Sequence, residues 1–456
     1  MARLQRVAAP LFAALLAACA QDTGTTFPLS PSRPATTLLG TLTPDSVRAL
    51  AASRGVKRLS SPPFVRPALS QLGQQLFFDR ILSGNRDIAC ATCHLPAFAT
   101  GDGKSLSVGQ GGIGTGPQRM HPKGVFIPRN APSLFNLSAL HGLFWDGRVS
   151  VDDQGFHTPA GNQITPAMIQ TFEFGAVSTL GMFPVTNRSE MRASADNELA
   201  RLGDSDFPGI WQALMTRLGA IPEYRQLFEA AYPGQYFDDM TFAHASNAIA
   251  GFLVSQMSFG DTPWDRFLAG NDGALSPSQL TGAATFLTLK CSLCHNGATL
   301  SDEAFHDVAV AQLGPGESNG EGLHDDFGRM NVTGARTDQY LFRTTPLRNV
   351  ELTGPFGHDG AIVDLRAFVE HYSESDKKLR QYDPTQLEPS LRSTVMANKA
   401  AILAQRDTLL NGVVLTSDLV DQLMAFLSAL TDDRARNLSA LVPARVPSRL
   451  AVDRAH

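Results

Sequence analysis

Two pentapeptides constrain this chain more than anything else in it: Cys90-Ala91-Thr92-Cys93-His94 and Cys291-Ser292-Leu293-Cys294-His295. In each, two thiols two residues apart can both reach the vinyl groups of one haem, and the histidine that follows is placed to ligate its iron. Zinc would need further Cys or His at ligand spacing beside each pair, and none is evident. Two occurrences, both ending in His, point to two covalently attached c-type haems. The expected fold class is mainly α, with two c-type cytochrome domains, each around one haem.

At 456 residues the chain is too long for one core of ordinary size, and with 43% apolar and 18% charged residues it has the composition of folded protein. The net charge of -5 comes without a basic run, so no nucleic acid or anionic membrane surface is expected as a partner.

Of 5 cysteines, the motifs leave Cys19 unexplained. Arg3 and Arg6 precede the apolar run Val7 to Ala18, which is too short to span a bilayer and has the form of a signal-peptide core. Leu16-Ala17-Ala18-Cys19 resembles a lipobox, in which the thiol is lipidated and becomes the new N-terminus. Ordinary cleavage at Ala18-Cys19-Ala20 is the alternative. Residues 1–18 are thus expected to be a signal peptide. Residues 19–43, rich in Thr, Ser and Pro from Gln21 to Thr43, form a lipidated tether that is the only link of a periplasmic protein to a membrane.

From Pro44 onward the pattern is helical. Pro67 suits the first position of a helix through Phe78, leading into the first motif. Ser276-Pro277-Ser278-Gln279 supplies an N-cap, an N1 proline and a capping-box glutamine for a helix through Phe286 to Cys291. Thr241 to Met257 and Asp418 to Leu430 have the spacing of core helices. The glycine-rich run Gly109 to Gly114 lacks the flanking strand and helix of a phosphate cradle. A boundary near Gly260 to Ala274, where Gly, Pro, Asn and Asp cluster, divides the chain into domains 44–265 and 266–456.

The first motif is followed by Phe98-Ala99-Thr100-Gly101-Asp102-Gly103, Arg129-Asn130-Ala131-Pro132-Ser133-Leu134 and Phe144-Trp145-Asp146-Gly147-Arg148. The second is followed by Phe342-Arg343, Pro346-Leu347-Arg348-Asn349-Val350 and His358-Asp359-Gly360. This order resembles the bacterial dihaem cytochrome c peroxidase superfamily, which also contains the tryptophan-modifying enzyme MauG, over roughly Ser70 to Leu430. Within it, Gly101 to Gly112 is most similar to the MbnH branch.

The resemblance implies that residues 44–265 hold the peroxidatic haem. Peroxidases of the family carry a removable distal histidine shortly after the first motif. Leu95 to Gln110 contains none, so an open site without reductive activation is expected; His121 reads as a surface histidine. At the second haem, the position supplying the further ligand is Tyr372 here, where peroxidases use Met. Asp364 can cap a short helix in which Leu365, Phe368 and Tyr372 share a face, so a core tyrosine is the alternative, and Met330 is the second-choice ligand.

By the same resemblance Trp145 relays an electron hole between the haems. Gln154 is a distal-pocket residue whose spacing from Trp145 is one short, and Glu173 is the distal acid/base, tuned toward neutrality by apolar neighbours. Asn130, Thr353 and Pro355 match positions that hold a calcium ion. Arg343 and His358 are expected beside the haems as propionate or supporting contacts. Leu289 replaces an exit tryptophan, which leaves Trp211 and Trp264 as possible substitutes. The implied function is a hydrogen peroxide-dependent oxidase that forms high-valent iron and oxidises a small exported partner protein, at a tryptophan side chain. The alternative is a peroxidase reducing hydrogen peroxide with electrons from a small cytochrome.

Overall fold

The computed structural model describes residues 42–454. The signal peptide, Cys19 and all of the tether but residues 42 and 43 lie outside the described residues. Proline sets the start of the helices Pro44–Ser53, Pro67–Phe78, Pro222–Ala231, Pro263–Leu268 and Pro277–Thr288. Its missing N–H is one that a first helical turn leaves unbonded in any case. The capping box read at Ser276 is formed: Ser276 Oγ accepts from the Gln279 N–H at 3.2 Å, and Gln279 Oε1 accepts from the Ser276 N–H at 2.9 Å.

The fold is mostly helical, as expected, and each haem motif is approached by one member of a tightly packed helix pair. Pro67–Phe78 lies along Phe242–Gln256, and Pro277–Thr288 lies along Ser417–Ser428. Glycine permits both crossings. A Cβ at Gly73 would sit 1.9 Å from the Ala248 carbonyl oxygen, and one at Gly282 would sit 2.0 Å from that of Gln422.

The domain division differs from the expected one. The segment Gly260 to Ala274 is not a linker: it holds the helix Pro263–Leu268, whose Trp264 is fully buried, stacked on Phe267 and edge-on to Phe426. The ends of the chain are also exchanged. The helix Pro44–Ser53 packs on Pro277–Thr288, and Arg48 reaches Asp272 at 2.7 Å. In return, Ala435, Leu438 and Val446 are buried in the core built on Pro67–Phe78. There Ser448 Oγ donates to Asp79 at 2.6 Å, and Asp453 accepts from Thr92 within the first motif. Residues 43–454 accordingly form one compact unit.

Strands are few. Gly142–Leu143, Val149–Asp152 and Gly155–His157 form an antiparallel sheet, and Phe305–His306 pairs with Phe342–Arg343. The sheets matter because Trp145 lies in the turn between the first two strands. Its carbonyl accepts the Arg343 N–H at 2.8 Å, which ties the two sheets together.

Candidate functional site

Each haem motif folds as one helical turn, Cys90–Cys93 and Cys291–Cys294, with the His N–H bonded to the first Cys carbonyl at 3.0 and 2.9 Å. The imidazoles are then oriented alike. His94 Nδ1 is 2.8 Å from the Thr100 carbonyl oxygen and His295 Nδ1 is 3.0 Å from that of Leu300, so Nε2 is the nitrogen left for a metal in both. Burial lowers the His94 pKa to about 4, which keeps its ring neutral and able to ligate. Burial pushes the Cys90 thiol up to about 12 and the Cys291 thiol up to about 11. Among the described residues, Cys294, Asp302 and His306 do place ligand atoms within 4.8 Å of one another, but a thioether at Cys294 would remove it from such a set.

The second motif opens into a mainly apolar cavity of about 480 Å³. Cys291, Cys294 and His295 share its wall with Tyr372, Trp145, Arg343 and His358. Tyr372 follows the helix Leu365–His371, which Asp364 caps as expected by accepting the Ala367 N–H at 2.9 Å. The phenol stands edge-on to Phe368, and its hydroxyl makes no hydrogen bond to any described residue. Burial, with the nearby Cys291 and Cys294, raises its pKa. Met330 does not line this cavity.

Arg343 is buried and donates only to the carbonyls of Phe144 and Thr344, at 3.1 and 3.3 Å. No described carboxylate pairs with it, and burial lowers its pKa, so the setting calls for an anion such as a haem propionate. His358 stacks on Phe342 with ring centroids 3.7 Å apart, and burial holds its pKa at about 4. The residues present thus fit a haem at this site: two thiols and a histidine on one wall, a phenol in reach of the same space, and a buried guanidinium without a counter-ion.

Asn130, Thr353 and Pro355 all border the same cavity. The Asn130 side-chain nitrogen donates to the carbonyls of Lys104 and Ser105 at 2.9 and 3.2 Å, leaving its oxygen as the group for a hard cation. Trp145 Nε1 donates to the Asn130 carbonyl at 2.9 Å. Beside this contact, Arg129 donates to Asp146 at 2.5 Å and to Asp326 at 2.6 and 2.8 Å. Burial works to raise the Asp146 pKa, but Arg129 and Arg148 hold it at about 2.

Two expectations meet a different geometry. Gln154 lies at the tip of the hairpin Val149–His157, exposed, with its N–H donated to Asp152 at 2.8 Å, and does not line the cavity of the second motif. Glu173 is exposed too, held by Arg66 at 2.7 and 2.8 Å and by Asn247 at 2.9 Å. Burial raises its pKa less than the Arg66 and Asn247 contacts lower it, so its net shift is downward, the reverse of the tuning expected. The residues between them make a hairpin strand and the helix Pro166–Thr171 instead of carrying both side chains inward.

A carboxylate whose pKa is shifted toward neutrality is Glu190, which the sequence reading missed. It lies in the helical turn Arg188–Arg192, capped by Asn187, and is half-buried. Burial raises its pKa to about 7, and its charge acts on both Cys90 and Cys93. The glycine-rich loop explains the placement. Gln110 N–H donates to the Glu190 carbonyl at 3.0 Å, and a Cβ at Gly109 would lie 2.0 Å from the Ser189 carbonyl oxygen. Nothing in the local sequence marks Glu190, because the loop that holds it is far away in the chain.

His121 sits on the rim of that loop, its Nδ1 accepting from the Lys123 N–H at 3.0 Å. Trp211 and Trp264 are both buried, so neither reaches the surface as an exit for a hole.

Two haem motifs, two approach helices and the cavity at the second motif define a dihaem c-type oxidoreductase. Residues 67–273 match the family model for di-haem cytochrome c peroxidase. The chain is 31% identical over 303 residues to cytochrome c551 peroxidase of Pseudomonas aeruginosa, covering 66% of this chain and 70% of that protein. It is 29% identical over 395 residues to the methylamine utilization protein MauG of Paracoccus denitrificans, covering 80% and 89%. Among solved structures, a MauG-like protein associated with microbial copper homeostasis superposes with a TM-score of 0.57 at 24% identity, over 85% of this chain and 96% of that one. The diheme peroxidase BthA of Burkholderia thailandensis does so with 0.56 at 20%, over 88% and 97%. The chain belongs to the di-haem cytochrome c peroxidase family, and it is a peroxide-dependent oxidoreductase.

Proposed function

We propose that this protein uses hydrogen peroxide to oxidise a partner protein, with a tryptophan side chain of a small exported protein as the substrate. The observation that carries this reading is Tyr372: a phenol without a hydrogen-bond partner among the described residues, on the cavity of Cys291, Cys294 and His295. A hard anionic ligand there favours oxidised iron, whereas a thioether favours the reduced state that a peroxidase must reach. The absence of histidine from Leu95 to Gln110 supports the same reading, since it leaves no local group to close the first site. The likeness to the copper-associated MauG-like structure favours the MbnH branch at the level of fold.

Two c-type haems, attached at Cys90/Cys93 and Cys291/Cys294 and ligated by His94 and His295, supply the redox chemistry when bound. In this reading the first haem domain is peroxidatic. Glu190, in place of Glu173, takes the proton from one peroxide oxygen and returns it to the other, which leaves as water. A group near neutrality suits both directions of transfer. Trp145 carries electrons between the halves, its indole fixed by the Asn130 carbonyl. Arg343 pairs with a propionate and His358 supports it. Asn130, Thr353 and Pro355 hold a calcium ion, which elemental analysis of the purified protein reads directly. Outside the described residues, Cys19 is lipidated and anchors a periplasmic protein; mass spectrometry showing a mature chain that begins beyond Cys19 would overturn this. Among the described residues, no helix is long and apolar enough to cross a membrane.

A second reading, reduction of peroxide with electrons from a small cytochrome, is favoured by the likeness to the Pseudomonas aeruginosa peroxidase. Adding stoichiometric peroxide to the fully ferric protein separates the two. A long-lived oxidised state that modifies a partner tryptophan, read by mass analysis, is expected. No such state, together with fast turnover on reduced cytochrome c, would establish the peroxidase instead.

A further inference from the structure

Two tyrosines, Tyr340 and Tyr372, line the cavity of the second motif. The Tyr372 hydroxyl has no hydrogen-bond partner among the described residues, whereas the Tyr340 hydroxyl donates to Asp325 Oδ2 at 3.0 Å. Tyr340 is 3% exposed and packs with Ala309, Ala311, Leu379 and Ile402 in a small apolar cluster, edge-on to Phe327. Its N–H donates to the Phe327 carbonyl at 3.0 Å. Its backbone is left-handed, at φ +62, a conformation that a bulky residue adopts only against a steric cost.

Asp325 is fixed as the acceptor for that hydroxyl. Its N–H donates to the Asn319 carbonyl at 3.0 Å, and its carbonyl accepts from the Glu317 and Asn319 N–H groups at 3.0 and 3.2 Å. Gly320, at φ +69, turns the loop over the side chain, and a Cβ there would lie 2.5 Å from Asp325 Oδ2. The carboxylate is buried, and among the described residues its side chain accepts from Asn398 at 3.0 Å besides Tyr340, with no cation paired to it. Tyr224 makes the contrast. Its hydroxyl also donates to a carboxylate, Asp79 at 2.6 Å, but Asp79 accepts in addition from the Ile81 N–H and from the Ser448 N–H and hydroxyl, and Tyr224 does not line the cavity.

A phenol gives up an electron readily only when its proton can leave at the same time, because the oxidised phenol is a strong acid. A carboxylate at 3.0 Å is within reach of that transfer. Burial, and after it the Asp325 contact, raises the Tyr340 pKa, so the hydroxyl keeps its proton until it is oxidised. We propose that Tyr340 is a redox-active residue of the second half: it supplies one electron to the haem group that this cavity accommodates, while its hydroxyl proton passes to Asp325 Oδ2. A neutral tyrosyl radical then stands beside a protonated carboxyl. One O–H bond breaks and another forms, hydrogen peroxide is the oxidant, and the electron is one of the two that its reduction to water takes up. One oxidising equivalent is thereby held on the chain itself. The inference rests on the reading that peroxide oxidises the fully ferric protein.

The test uses the dihaem holoprotein, produced with ordinary or ring-deuterated tyrosine, and the variants Tyr340→Phe, Asp325→Asn and Tyr224→Phe. Each ferric protein is mixed with stoichiometric hydrogen peroxide, frozen at short times and read by EPR for an organic radical, with haem oxidation followed by absorption in the same samples. The wild type is expected to give a radical whose line shape narrows with ring-deuterated tyrosine. Tyr340→Phe and Asp325→Asn are expected to lose that signal, and Tyr224→Phe to keep it. Haem oxidation in the wild type without a deuterium-sensitive radical, or a radical that survives Tyr340→Phe, overturns the inference and leaves the reading of the function standing. If peroxide oxidises no haem of the ferric wild type, that reading fails, and this inference with it.

Discussion

The indole N–H of Trp145 is donated to the carbonyl of Asn130 at 2.9 Å, and the two residues that flank this contact, Asp146 and Arg129, are themselves ion-paired at 2.5 Å. The ring is therefore fixed at both its nitrogen and its backbone, on the wall of the cavity that holds His295 and Tyr372. An electron relay needs such fixing, because coupling falls steeply when a ring can rotate.

Trp145→Phe should separate relay from structure. Loss of one hydrogen bond to a carbonyl costs about 1 kcal/mol, so the variant should fold and bind both haems. With peroxide, its ferric form should show oxidation confined to one haem by absorption and EPR. Oxidation spread over both haems, as in the wild type, would show that Trp145 is not the route.

Tyr372→Phe removes only the phenol oxygen from a half-buried side chain whose hydroxyl bonds to no described residue. Stability should change by less than about 1 kcal/mol, and the low-spin EPR signal of the as-isolated ferric protein should be lost or shifted. A spectrum identical to wild type would take the tyrosine out of the coordination sphere and restore the core reading.

The proposed role of Glu190 as proton-transfer group predicts a pH dependence. Its raised pKa of about 7 means that the base form needed to accept the peroxide proton is present above neutrality and is lost as pH falls through about 7. The rate of the ferric protein with peroxide should rise across that window. Glu190→Gln should lower it by roughly 100 to 10,000-fold and flatten the profile, whereas Glu173→Gln should leave it unchanged.

Gly109→Ala tests how Glu190 is held. The added methyl would meet the Ser189 carbonyl oxygen at 2.0 Å, forcing the Arg188–Arg192 turn away from the loop. Overpacking of this kind costs about 1–3 kcal/mol. The peroxide reaction should slow well beyond what the loss of thermal stability explains, with Tyr372-dependent spectra intact. Equal and wild-type peroxide rates would show that the glycine has no bearing on the site.

Acid should loosen the junction of the halves. Asp146 is held at about 2, and Asp326 is also lowered: burial opposes ionisation of each but Arg129 outweighs it. Their stabilisation is present above the unfolded carboxylate range near ~3.9 and is lost as pH falls from there through about 2. Asp326→Asn leaves Arg129 buried with one partner fewer and should cost about 3–5 kcal/mol, raising the midpoint of acid unfolding followed by circular dichroism. An unchanged midpoint would show that the junction does not depend on this pair.

Much of this protein is written in local sequence. The thiol and histidine spacing of the two motifs, the proline and capping signals at Pro67 and Ser276, and the apolar period of the long helices depend on residues a few positions apart, so each could be read directly. Asp364 capping the helix that presents Tyr372 is of the same kind. What the tertiary structure alone decided is everything that joins distant segments. The exchange of chain ends, which puts Pro44–Ser53 on the second half and Val446 in the first, has no local signature, because burial of an apolar side chain does not name its neighbours. Glu173 and Glu190 show the limit most clearly. Both are glutamates near apolar residues in the sequence, but Arg66 is folded onto one, while the Gly109 loop packs on the backbone of the other. A carboxylate's protonation follows from the charges and solvent around it in space, and spacing along the chain does not carry that information.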